Sequence, residues 1–176
     1  MTLPLGLEPF TGQSRTEHAG VLVVGALACL LAYVGTAAVL FGVDSLGHGE
    51  PIGPRYAAAV IASLACWGYY SVAFAVGRGG PVTNVVAYPL ATVSVLPLSF
   101  RWVAFGPVWS AVRERFVFVF FEPSMFAEAA ALVLPGMCLC VGLLALWASR
   151  LGEDGIRDWQ RTHLSPEFRD AFVDER

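Results

Sequence analysis

Nineteen consecutive residues, Val82 to Phe100, carry no charge, and the chain holds three more runs of this kind. Only 14% of the 176 residues are charged and 56% are hydrophobic, whereas a soluble domain devotes about a quarter of its residues to charge. The apolar residues stand in long blocks without the short alternation of a soluble core. Lipid is the solvent that such blocks suit. The predicted fold class is therefore all-α: an integral membrane protein with a four-transmembrane-helix bundle.

The predicted spans are Ala19–Val43, Tyr56–Gly77, Val82–Phe105 and about Ser124–Arg150. A single membrane domain then covers residues 1–150, and an acidic amphipathic tail covers 151–176. The first span, twenty-five residues, gives roughly 37 Å of helix and crosses with tilt. Its N-terminal flank has no net positive charge and the run is longer than the apolar core of a signal peptide, so it is expected to stay in the mature protein.

Small residues recur four apart: Gly25/Cys29, Ala28/Ala32 and Ala32/Thr36 in the first span, Ala58/Ala62, Ala59/Ser63 and Ala62/Cys66 in the second. Such rows let helix backbones approach closely where lipid offers no hydrophobic drive. Trp67 falls mid-span, away from the water boundary that membrane aromatics favour, and so is expected against a neighbouring helix. Gly77-Arg78-Gly79-Gly80-Pro81 predicts a tight turn, making spans two and three a hairpin.

In the third span Thr83, Ser94 and Arg101 fall on nearly the same side of a helix at about 100° per residue. Pro89 and Pro97 each remove a backbone donor, which predicts bending. The other helices are expected to pack around this one. Arg101 has three readings: its side chain snorkels to headgroups, pairs with Glu122 or Glu128, or serves a substrate or ion.

Between spans three and four, residues 107–121 are too few and too charged to cross. They predict an amphipathic interfacial helix with Arg113 and Arg115 as anchors toward headgroups; the rival is a re-entrant loop covered by protein. Glu122-Pro123 marks the start of span four, and Pro135-Gly136 predicts a kink in it. In the tail, Ile156, Trp159 and His163/Leu164 share a face. Ser165-Pro166-Glu167 is a helix start, and Phe168 and Phe172 stand four apart. Short helices folded on the membrane surface or a partner are expected, with a mobile acidic end.

The four cysteines lie in apolar runs, where thiols behave as small hydrophobes. Cys138 and Cys140 point about 200° apart on a helix, which argues against one shared ion. Asp44, His48 and Glu50 stand in a Gly-rich loop that reads as solvated rather than metal-binding. No membrane-core histidine pair suits haem, so no cofactor and no metal are expected. A net charge of −3 makes nucleic acid an unsuitable partner. The expected partners are the lipid bilayer and copies of the chain or a larger membrane complex.

An even number of spans puts both termini on one side, read as cytoplasmic in the cell membrane, although Arg15, Arg78, Arg150, Arg157 and Arg161 on that side against Arg55, Arg101, Arg113 and Arg115 on the other scarcely use the positive-inside rule. The function favoured is a non-catalytic scaffold, accessory or assembly subunit. The alternative is a transport or permeation path along Thr83, Ser94 and Arg101, for which liposome flux sensitive to Arg101→Ala is the test. A lipid-directed enzyme at Arg113–Arg115 ranks last, because no nucleophile and base pair stands out.

Overall fold

The computed structural model describes residues 7–46, 52–87 and 123–173. Within them the chain is helical and holds no strand. Helix α1 is Arg15–Phe41, followed by a 3₁₀ turn at Val43–Leu46. Helix α2 is Ile52–Ala75, and residues 81–87 open helix α3. Helix α4 is Pro123–His163 and α5 is Pro166–Phe172. Among the described residues three segments are long and apolar enough to cross a membrane: Arg15–Phe41, Ala57–Ala75 and Val133–His163.

The helix ends follow local chemistry. Ser14 caps α1: its Oγ accepts from the Glu17 amide at 3.2 Å, while the Glu17 carboxylate accepts from the Ser14 amide at 2.8 Å. This reciprocal capping box satisfies two otherwise orphaned donors and starts α1 four residues before the expected span. At the end of α2, the Arg78 amide donates to Ala73 O at 2.7 Å and the Gly77 amide to Phe74 O at 2.9 Å. This is the paired bond of a Schellman end.

Among the described residues α2 is the central helix, touching α1 on one side and α4 on the other. The buried residues of α1 are Gly25, Cys29, Tyr33 and Ala37, a strict spacing of four. They meet Ala58, Ala62, Cys66 and Tyr70 of α2 in one buried cluster. A Cβ on Gly25 would stand 2.5 Å from the Tyr70 hydroxyl oxygen, so only glycine admits that ring. On the α4 side Trp67 lies over Gly136, where a Cβ would come within 2.6 Å of the indole nitrogen. The rows of α2, the pair Gly25/Cys29 and the inward Trp67 are thus where helix packing needs them, whereas Ala28, Ala32 and Thr36 are only part-buried, beside a seam that continues through Tyr33 and Ala37.

Outward faces are apolar. Val24, Leu27, Leu31 and Val39 of α1, and Leu134, Val141 and Leu146 of α4, are exposed. A stripe of this kind in water would be a large apolar patch; in a bilayer it meets acyl chains.

α4 keeps helical backbone geometry through Pro135. The residue of α4 that leaves helical geometry is Gly152, at φ 66° and ψ 179°. A side chain at that positive φ would be strained. The bend lets Trp159 return onto Trp147, with ring centroids 5.2 Å apart. The segment after Gly152 therefore lies across the bundle end, and α5 continues from it with Ser165 as N-cap and Pro166 in its first turn, as the sequence predicts.

Candidate functional site

The best-organised constellation is a junction at one end of the bundle, where four pieces of chain meet: residues 8–14, the turn 75–80, the start of α3, and residues 159–165. Phe10 is the plug, 1% exposed. Its ring packs edge-on against Phe74, Trp159 and His163, at centroid distances of 5.7, 5.6 and 6.3 Å. The His163 ring stacks on Trp159 at 5.0 Å, and its Nδ1 stands 2.9 Å from Trp159 O.

Hydrogen bonds tie the plug in place. The Phe10 amide donates to Gly79 O at 2.9 Å and the Thr11 amide to His163 O at 2.8 Å. Gln13 bridges the turn with both ends of its amide: Nε2 donates to Gly77 O, and Oε1 accepts from the Gly79 amide at 3.0 Å. Trp159 Nε1 donates to Ala75 O at 2.9 Å, an α2 carbonyl left over at the helix end. Ser165 Oγ reaches Glu8 at 3.3 Å.

The turn itself is held by Asn84, which is fully buried. Its Oδ1 accepts from the Gly80 amide at 3.2 Å and its Nδ2 donates to Arg78 O at 2.8 Å. Gly79, at φ 91°, sits under the Asn84 amide with room for no Cβ. Thr83, also buried, donates through Oγ1 to Gly80 O at 3.4 Å. The hydroxyl expected on a polar path is thus engaged in the hairpin turn.

Of the other expected site residues, Ser94, Arg101, Arg113, Arg115 and Glu122 lie outside the described residues. Glu128 falls in α4 by backbone alone, so the arrangement around Arg101 and the interfacial helix 107–121 lie outside as well. His48 and Glu50 do too, while Asp44 is an exposed residue of the 3₁₀ turn. Cys140 is buried and Cys138 exposed, in keeping with their divergent directions. Cys29 Sγ stands 3.5 Å from Ala62 O within the α1–α2 seam.

Charge at this end is at the surface. Arg78 faces Glu17 at 3.9 Å, both side chains more than half exposed. The Ser14 amide and hydroxyl, with a smaller pull from Arg78, hold the Glu17 carboxyl below its usual range. Arg157 pairs with Glu153 at 3.2 Å on the outer face of the segment after Gly152.

Sequence reasoning passed over Phe10, Gln13 and Asn84. Ser63, Ser71, Thr83 and Asn84 are all buried. Ser71 returns its hydroxyl to Trp67 O one turn back, at 2.7 Å. For Asn84 a signal was present: an amide side chain one turn into a helix, just after a Gly-rich turn, suits capping of that turn. Phe10 and Gln13 have no comparable signal, because their partners are distant in sequence.

The chemistry the junction supports is attachment: aromatic packing and a set of hydrogen bonds hold four chain segments together, while His18 Nδ1, against Gly80, is buried without a hydrogen-bond partner. Among the described residues no group of three or more metal-ligating side chains gathers. No protein-family model, no curated protein and no solved structure matches this chain.

Proposed function

We propose that this chain is a multi-pass protein of the cell membrane that serves as a non-catalytic scaffold, accessory or assembly subunit. One observation carries the reading. The ordered interior is spent on joining helices, at the α1–α2 and α2–α4 seams and at the Phe10 junction, while α1 and α4 turn long apolar faces outward. A rigid core with apolar outer faces is what a partner helix in lipid packs on.

Four crossings fit this reading. α2 and α4 run in the same direction, since Gly136 lies at Trp67 and Trp147 at Phe74. The chain therefore leaves α2 at one end of the bundle and enters α4 at the other. A crossing over 82–105 supplies that return, and it leaves both termini on one side, which we assign to the cytoplasm. The interfacial helix at 107–121 completes the proposal.

The test is cross-linking in native membranes from cysteines placed on outward positions, Leu31→Cys on α1 and Leu146→Cys on α4, followed by purification in mild detergent. A discrete adduct with one defined protein, or a stable homo-oligomer, is expected. A well-behaved lone monomer with no adduct from either face overturns the reading.

A further inference from the structure

A groove of about 560 Å³ runs along the surface beside α2. Ala65, Gly68, Val72 and Val76 line it at helical spacing, Val21 of α1 forms part of its wall, and Arg78 belongs to its lining at the bundle end. The Tyr69 hydroxyl, donating to Val21 O at 3.1 Å, ties the two helices together there. Val72 and Val76 are 56% and 58% exposed, so the groove opens outward along its length.

Its dimensions select an occupant. Residues 65–76 span roughly 16 Å of helix, which is about half the ~30 Å hydrocarbon core. In the spanning reading the groove would therefore extend over about one leaflet from the bundle end. A helix of that length, ~10 Å across, would fill on the order of 1,300 Å³, more than twice the space present. A single acyl chain is the narrower object. At the headgroup end the Arg78 guanidinium is 60% exposed, and a guanidinium matches a phosphate with two parallel donors.

We propose that this groove binds one phospholipid with an anionic headgroup, its acyl chain along Ala65–Val76 and its phosphate on Arg78. The proposal rests on the membrane-spanning reading of α1 and α2. Glu17, 3.9 Å from Arg78, competes with the phosphate for the guanidinium, which gives two substitutions opposite effects. Removing the Arg78 charge abolishes headgroup preference; removing the Glu17 charge strengthens it. Filling the groove at Ala65, an exposed position, lowers retention of every lipid alike.

The experiment is native mass spectrometry of the full chain, released from mixed micelles holding equal phosphatidylglycerol and phosphatidylcholine with identical acyl chains. The wild-type chain is expected to keep one phosphatidylglycerol over phosphatidylcholine by about fivefold, the factor one basic residue contributes against anionic lipid. Arg78→Gln equalises the two, Glu17→Gln raises the ratio, and Ala65→Phe lowers retention of both. Equal retention by the wild-type chain overturns the proposal without recourse to any variant. So does a preference that survives Arg78→Gln. A disulfide between two Val72→Cys copies in bilayers would give the groove to a second chain and overturns it equally. Should alkaline carbonate strip the chain from membranes, the spanning reading itself has failed, an outcome separate from the loss of lipid preference.

Discussion

The Tyr70 hydroxyl donates to the Leu22 carbonyl at 2.7 Å, from the buried face of α2 to the backbone of α1. One turn away on α1, Gly25 leaves the space that the same ring occupies. Hydroxyl and glycine are two halves of one seam. Their substitutions separate a hydrogen bond from a packing requirement. Tyr70→Phe should cost about 0.5–1.5 kcal/mol, the net worth of one such bond. Gly25→Ala should cost more, about 1–3 kcal/mol, because the added methyl meets a ring that cannot retreat. Adding Tyr70→Phe should not rescue Gly25→Ala, since the ring carbons stay in place. Unfolding by SDS titration, followed by circular dichroism in reconstituted protein, measures all three.

Phe10 gives a second prediction. Its ring is enclosed by Phe74, Trp159 and His163, so Phe10→Ala removes a buried aromatic at about 3–5 kcal/mol if the site cannot collapse. The loss should be local to the junction. Limited proteolysis is expected to cut residues 7–14 and the segment after Gly152 together, while the α1–α2 seam stays protected. Cleavage of one piece without the other would show that they do not hold each other.

Asn84→Ala should loosen the α2–α3 turn. It leaves the Gly80 amide and the Arg78 carbonyl without their buried partners, a cost of about 1–3 kcal/mol for each group that water does not reach. Asn84→Asp should be no remedy, because a carboxylate restores the bond to the Gly80 amide and repels the Arg78 carbonyl. Thermal unfolding in one detergent, with wild type, Ala and Asp side by side, checks the order.

Glu17 sets a pH dependence whose sign is fixed. Its carboxyl is held below the usual carboxylate range in the fold, first by the Ser14 amide and hydroxyl. A depressed folded value means the contribution is present above the unfolded value and is lost as pH falls through the folded one. Carbon-13 NMR titration of the Glu17 carboxyl should give a midpoint below that of a free glutamate, moving back up in Ser14→Ala. The same substitution should cost the α1 start about 0.5–2 kcal/mol as a lost cap.

Much of this architecture is legible in the residues. Long uncharged runs announce the long apolar helices, rows such as Gly25/Cys29 and Ala58/Ala62 announce their seam, and Ser165-Pro166 announces α5. One boundary differs for a physical reason. α1 begins at Arg15 because Ser14 and Glu17 cap each other, a signal that the run of apolar residues overshadows. The break in α4 at Gly152 falls just past Arg150, where the sequence ends the fourth span, and glycine carries the positive φ that most residues cannot. The junction around Phe10 was not legible at all. Its bonds join the two ends of the chain, and no local pattern encodes a partner so far along the sequence. Of the stripe Thr83, Ser94 and Arg101, Thr83 alone falls within the described residues, in a turn that explains its burial.

The bond from Thr11 to His163 also dictates a timetable. The α1–α2 seam joins neighbours in sequence and is able to close while the rest of the chain is still being made. The junction has to wait for the segment after Gly152 to be made and to bend back. Until then Phe10 lacks Trp159 and His163, two of the three rings that enclose it, so residues early in the chain are among the last to be fixed in place.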